Sequence, residues 1–288
     1  MLGRFRSLAL LAAVAGLVLH AGCRRPVQRT NEVVSVPAAK VPLDPGDSAW
    51  AKAPENAAKL LLQDLVEPRL MRPSTTEVLV RSLNNGVEIG FRLEWVDSSP
   101  DDLADAGRFP DACAVQIPQR ISAIPPEPQM GQAGQPVEIT FWRADWQAFV
   151  NGRPDTIQSL YPNATIDHYP FEAKPLEPGS VAQKEMSARY APAQAVGNRR
   201  VGPRTSPVED MIAEGPGTLG PAKGGSSRGQ GSRTKDGWSV VLLRRLPEGI
   251  APGVRSQIAI AVWEGSHQEV GARKMRTGWI PLSVRAAQ

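Results

Sequence analysis

The chain has 288 residues, 41% hydrophobic and 22% charged, an ordinary globular balance with enough length for one large β domain or two small ones. Its formal charge of +4 drops to +2 once Arg4 and Arg6 are assigned to a leader, and no block of like charge could track a nucleic-acid backbone. The two cysteines, Cys23 and Cys113, exclude an iron–sulfur or zinc cysteine cluster.

Arg4 and Arg6 open residues 1–22 as an export signal, followed by the apolar run Leu8 to Leu19. That run is too short to span a bilayer at about 1.5 Å per residue. Ala21 and Gly22 precede Cys23, an order that resembles a bacterial lipobox and predicts acylation of the Cys23 thiol, the alternative being ordinary cleavage near the same place without lipid. His20 stands where that motif has a branched apolar residue. Residues 23–40 read as a flexible tether, and a folded domain is expected over 41–288. It opens on Val41-Pro-Leu-Asp-Pro-Gly-Asp-Ser-Ala-Trp50, where Asp and Pro favour a turn and a cap and Trp50 can plug a core.

A strand is expected near Leu60 to Val66. Glu77 to Leu83 and Val87 to Trp95 flank Asn84-Asn85-Gly86 and predict a tight hairpin. In the second arm Val87, Ile89, Phe91, Leu93 and Trp95 share one face. Ala112 to Ile117 reads as a strand in which Cys113 is a buried structural thiol. Further strands are expected at Val137 to Arg143, Trp238 to Leu246, Gln257 to Glu264 and Gly278 to Ser283. Many short strands with little helical periodicity predict an all-β fold, an antiparallel β-sandwich with long loops and short helices. Residues 148–236, rich in Pro, Gly and Ser, read as a long loop insertion that wraps the sandwich or contacts a partner.

Chemistry-bearing motifs are sparse. There is no Gly-x-Ser-x-Gly, no phosphate-cradling glycine loop and no Cys-x-x-Cys-His for covalent haem attachment. His168 reads as a loop histidine and His267 as an exposed turn residue. Trp142 and Trp146 read as core.

Several pieces in order carry a family resemblance: Leu43-Asp-Pro with Trp50, Phe91-Arg-Leu-Glu-Trp95, Ala114-Val-Gln-Ile-Pro118, Met130-Gly131 and Val137-Glu-Ile-Thr-Phe-Trp142. Gly237-Trp-Ser-Val-Val, Ala259-Ile-Ala-Val-Trp-Glu-Gly265 and Lys274-Met-Arg-Thr-Gly-Trp279 follow. Over roughly residues 41 to 284 the set resembles the haem b gamma subunits of the type II dimethylsulfoxide reductase family, ethylbenzene and dimethylsulfide dehydrogenase among them.

That resemblance implies a sandwich holding one non-covalent haem b, at one end or between the sheets, through a methionine and a lysine. The matching residues are Met130 and Lys274, which would be the axial iron ligands. It further implies a non-catalytic electron-transfer subunit on the periplasmic side of a bacterial membrane. Its partners would be an iron–sulfur beta subunit, a molybdenum catalytic alpha subunit and an acceptor such as cytochrome c. The competing expectation is a haem-free carbohydrate- or ligand-binding sandwich lipoprotein whose exposed tryptophans stack on sugars.

Overall fold

The computed structural model describes residues 29–164, 176–198, 200 and 204–286. The export signal, Cys23 and His168 lie outside the described residues. In chain order the strands are β1 (Arg29–Thr30), β2 (Val33–Pro37), β3 (Glu55–Lys59), β4 (Leu61–Leu62) and β5 (Glu77–Asn84). Next come β6 (Glu88–Val96), β7 (Ala112–Pro118), β8 (Val137–Arg143), β9 (Val208–Ala213) and β10 (Gly220–Pro221). The last are β11 (Arg228–Arg233), β12 (Gly237–Arg245), β13 (Arg255–Trp263), β14 (Met275–Arg276) and β15 (Ile280–Val284).

They form a β-sandwich. The smaller sheet runs β10-β9-β8-β7-β13, with β14 and β4 beyond β13. The larger runs β13-β15-β2-β5-β6-β12-β11, with β3 and β1 beside β5. One strand belongs to both: Arg255 to Ile258 pair with β15, whereas Ala259 to Trp263 pair with β7. Such a sheet-switching strand makes a corner of the sandwich.

Strand alternation puts the core between the sheets. Val78, Val80, Ile89, Phe91, Leu93, Val240 and Leu242 of the larger sheet pack with Cys113, Val115, Ile117, Trp142, Ile260 and Val262 of the smaller. Cys113 is fully enclosed there, and burial pushes its thiol well above the ordinary range. A second layer covers the outside of the larger sheet. Trp50 is buried against Leu83, Val241 and Leu243, and its Nε1 donates to the Asp44 carbonyl at 3.0 Å. Gly90 makes room for this plug, since a Cβ there would lie 2.6 Å from Val41 Cγ1 and 3.1 Å from the Trp50 ring.

The folded part begins earlier than the expected boundary at residue 41. β2 lies inside the larger sheet, parallel to both β15 and β5. Val33 and Val34 are buried, so this segment is a structural strand rather than a tether. Its five residues carry no turn signal and too little length for alternation to be read.

Residues 148–236 also contribute strands. β9 extends the smaller sheet beside β8, and β11 closes the larger sheet beside β12. β11, Arg-Gly-Gln-Gly-Ser-Arg, looks like a loop because its inward positions are glycines. The packing demands them. A Cβ on Gly229 would lie 2.3 Å from Val208 Cγ1, and one on Gly231 only 2.2 Å from the Trp142 ring. Of the expected Leu60 to Val66 strand only Leu61–Leu62 pairs, with β14. Val87 lies outside β6 and is exposed, so the buried face of that arm starts at Ile89.

Candidate functional site

Alternation that fills the core with one face of the smaller sheet leaves its other face outward. That face is lined by Ala112, Ala114, Ile139, Phe141, Met211, Ala261 and Trp263, and it floors a largely apolar cavity of about 600 Å³. The size is within the range for small-molecule and cofactor sites. The cavity therefore lies outside the inter-sheet core.

Alanines make the space. Ala261 of β13 pairs with Ala114 of β7, and Ala259 with Gln116. The bulky partners of the same strands, Val115, Ile117, Ile260 and Val262, point into the core. Larger groups wall the site instead. Phe141 and Trp263 meet edge to face with ring centroids 5.2 Å apart, a favoured aromatic geometry. Trp263 Nε1 donates to the Gly271 carbonyl at 3.0 Å, fixing the ring to the far rim.

Met130 and Lys274 both line this cavity. Met130 sits on a loop tied down on several sides. Gln116 Nε2 donates to the Pro128 carbonyl at 3.1 Å, and Trp279 Nε1 to the Pro126 carbonyl at 2.6 Å. The Gly215 amide donates to the Met130 carbonyl at 2.8 Å. Met130 has φ of +69°, which a side chain rarely adopts and which costs on the order of 1–2 kcal/mol. Gly131 follows at φ +79°, where a Cβ would lie 2.8 Å from the Gln135 carbonyl oxygen. Consecutive left-handed residues thus turn the chain sharply, and Met130 packs against the apolar cluster on the outward face of the smaller sheet.

Lys274 immediately precedes β14, which is anchored on both edges. Met275 pairs with Val262 of β13 and with Leu62 of β4, and the Lys274 carbonyl accepts from the Gln63 amide at 3.1 Å. Met275 is buried in the inter-sheet core. Period-two alternation sends its neighbours Lys274 and Arg276 to the cavity side, and both line it.

Among the described residues the Lys274 amine has no carboxylate partner. Its contact is the Trp263 ring, with Nζ 5.0 Å from the centroid. Burial, and secondarily the charge of Arg276, push its pKa down from 10.5 to about 8. An amine held this way gives up its proton easily and is available as a neutral donor. Arg276 Nε is itself buried and, among the described residues, has no hydrogen-bond partner. A soft thioether, an amine of lowered basicity and the guanidinium-bearing Arg276 thus line one largely apolar space, a donor set that suits an iron porphyrin with acidic side arms.

His267 is exposed in a short 3₁₀ turn and takes no part in the cavity. Trp142 lies in the inter-sheet core, its Nε1 donating to Gln147 Oε1 at 3.1 Å. Trp146 is buried under Arg204, whose guanidinium stacks 4.0 Å from the ring centroid.

A family model described as ethylbenzene dehydrogenase matches residues 47–275. The chain belongs to the ethylbenzene dehydrogenase family. Members similar to it include a Haloferax mediterranei protein named as a respiratory nitrate reductase heme subunit, 23% identical over 95% of this chain and 82% of that protein. The chlorate reductase gamma subunit of Ideonella dechloratans is 23% identical over 91% of this chain and 87% of its own. The dimethylsulfide dehydrogenase gamma subunit of Rhodovulum sulfidophilum is 27% identical over 49% of this chain and 58% of its own. Two of these relatives are thus named as gamma subunits and one as a heme subunit.

The cavity floor escaped the sequence reading. The signal was present: alanine recurs at every second position in Ala112-Cys-Ala-Val and Ala259-Ile-Ala-Val, where a strand buried on both faces would carry branched residues throughout.

Proposed function

We propose that this chain is the electron-transfer haem b subunit of a molybdenum oxidoreductase complex. It would pass electrons between an iron–sulfur subunit and an external acceptor such as cytochrome c, and it would have no substrate chemistry of its own. The observation that carries the reading is the presence of Met130 and Lys274 in one apolar cavity, on two separately anchored segments.

Haem b, when bound, supplies a one-electron iron couple. Met130 offers a neutral, polarisable sulfur that favours the ferrous state and raises the potential. Lys274 offers a nitrogen once its proton has left, and its desolvated setting lowers the cost of that loss. Phe141, Trp263 and the alanine floor exclude water, and Arg276 is placed to meet an acidic side arm. Were Met130 and Lys274 both to hold the iron, no position would remain for a substrate, which supports electron carriage rather than catalysis.

The sugar-binding alternative requires exposed tryptophans. Six of the seven are buried, and Trp279 is half-buried with its Nε1 engaged by Pro126.

The test is the visible spectrum of the purified chain with added haem, before and after dithionite. A six-coordinate low-spin spectrum is expected, and Met130→Ala and Lys274→Ala should each convert it to a five-coordinate or mixed form. A chain that stays colourless would defeat the proposal. Wild-type spectra in both variants would defeat the ligand assignment. Purification with molybdenum and iron–sulfur subunits attached is the expected result for the native complex.

The export-signal pattern of residues 1–22 supports placement on the periplasmic side, with Cys23 as the lipid-bearing residue.

A further inference from the structure

At the end of the sandwich next to the Trp263 wall of the cavity, three carboxylates converge. Asp97 follows β6, Asp111 precedes β7 and Glu264 follows β13, so the group gathers three chain segments where both sheets end. All three residues are buried, and a carboxylate oxygen from each lies within 4.8 Å of the others. We propose that Asp97, Asp111 and Glu264 form a binding site for one hard divalent cation of the calcium class.

The geometry is the first support. Calcium binds oxygens at about 2.3–2.6 Å, so two oxygens on one ion lie no more than roughly 5 Å apart. The 4.8 Å limit on this trio meets that condition. The second support is an orphan. Asp97 has no exposed side-chain surface, yet among the described residues its Oδ2 has no hydrogen-bond partner. A buried carboxylate oxygen without a donor is costly, and a cation is the partner it lacks.

The charge balance agrees. The ion pair at the cluster is Arg233, whose Nη1 lies 3.5 Å from Asp97 Oδ1. Among the described residues Asp111 draws neutral donors: the Gly265 amide at 2.9 Å, the Asp101 amide at 3.0 Å and Trp238 Nε1 at 2.9 Å. Glu264 Oε1 accepts from the Ser266 hydroxyl at 2.9 Å. Three carboxylates against one guanidinium leave an excess of negative charge inside the protein. Burial, with the repulsion of its neighbours, pushes Asp111 up to about 8 and raises Glu264 as well. An all-oxygen donor set favours calcium over zinc or copper.

A cation here would clamp the loop from Asp97 to Asp111. That loop carries Arg108 and Phe109 to the rim of the apolar cavity. The site itself stands whether or not the cavity holds haem.

Terbium luminescence on the full chain, stripped with a chelator, provides the test. Trp238 Nε1 donates to a proposed ligand, so excitation of tryptophan should sensitise terbium bound at this place. We expect saturable emission that calcium displaces, and a calcium-dependent rise in the thermal midpoint. Asp97→Asn should weaken terbium affinity roughly tenfold or more and abolish the calcium-induced rise. Glu264→Gln serves as the second variant, with circular dichroism showing which of the two keeps the fold. Absence of sensitised emission and of a calcium effect in the wild-type chain would overturn the proposal. So would unchanged affinity in a folded variant.

Discussion

Lys274 shows what one residue can and cannot reveal about itself. In the sequence it is a lysine between an arginine and a methionine, and only an ordered family pattern distinguishes it from a solvated charge. The structure adds that Met275 is committed to the core, which leaves 274 on the cavity side. Its lowered pKa, about 8, has a direct consequence. Between roughly pH 8 and 10.5 the unfolded chain holds a proton at this position that the folded chain has released, so stability of the haem-free protein rises with pH across that window. Below it the folded pocket carries an ammonium that must lose its proton before it can coordinate. Haem affinity should therefore climb by up to about tenfold per pH unit below 8 and level off above. Spectrophotometric titration over about pH 6 to 9 measures this, and a flat profile would remove Lys274 from coordination.

Among the elements, those with clean alternation or a tight turn were legible. The hairpin of β5 and β6, the strands β7, β8, β12 and β13, and the Trp50 plug all carry strong local patterns. The elements that were not legible share a physical reason. β11 needs glycine where Val208 and Trp142 press against it, so packing removed the β-branched residues by which strands are recognised. β2 is a short strand whose parallel partners, β15 and β5, lie far away in the sequence. Deleting residues 29–40 should accordingly unfold the domain, because it removes a strand between two others and exposes both edges. Soluble, cooperatively melting protein from such a truncation would show that β2 is dispensable; the expected outcome is aggregation.

For the molecule as a whole, the all-β class follows from the density of short strands, whereas the position of the cavity does not. It depends on which face of the smaller sheet turns outward, and that is fixed by pairings between distant segments. No helix among the described residues is long and apolar enough to cross a membrane. The proposed attachment through Cys23 predicts that Cys23→Ser shifts the protein from the membrane pellet to a soluble fraction. An unchanged distribution in that variant would count against the anchor.

The shared strand gives the architecture a coupled register. The first half of β13 is aligned by β15 and the second half by β7, within one unbroken backbone. A slip of a single position would turn Ala259 and Ala261 inward and Ile260 and Val262 outward, and would misalign the β15 ladder as well. The same error would fill the alanine-floored space with branched side chains and leave holes in the interior. Correct zippering of one sheet thus proofreads the other, and the cavity is guarded by the same pairing that makes the fold.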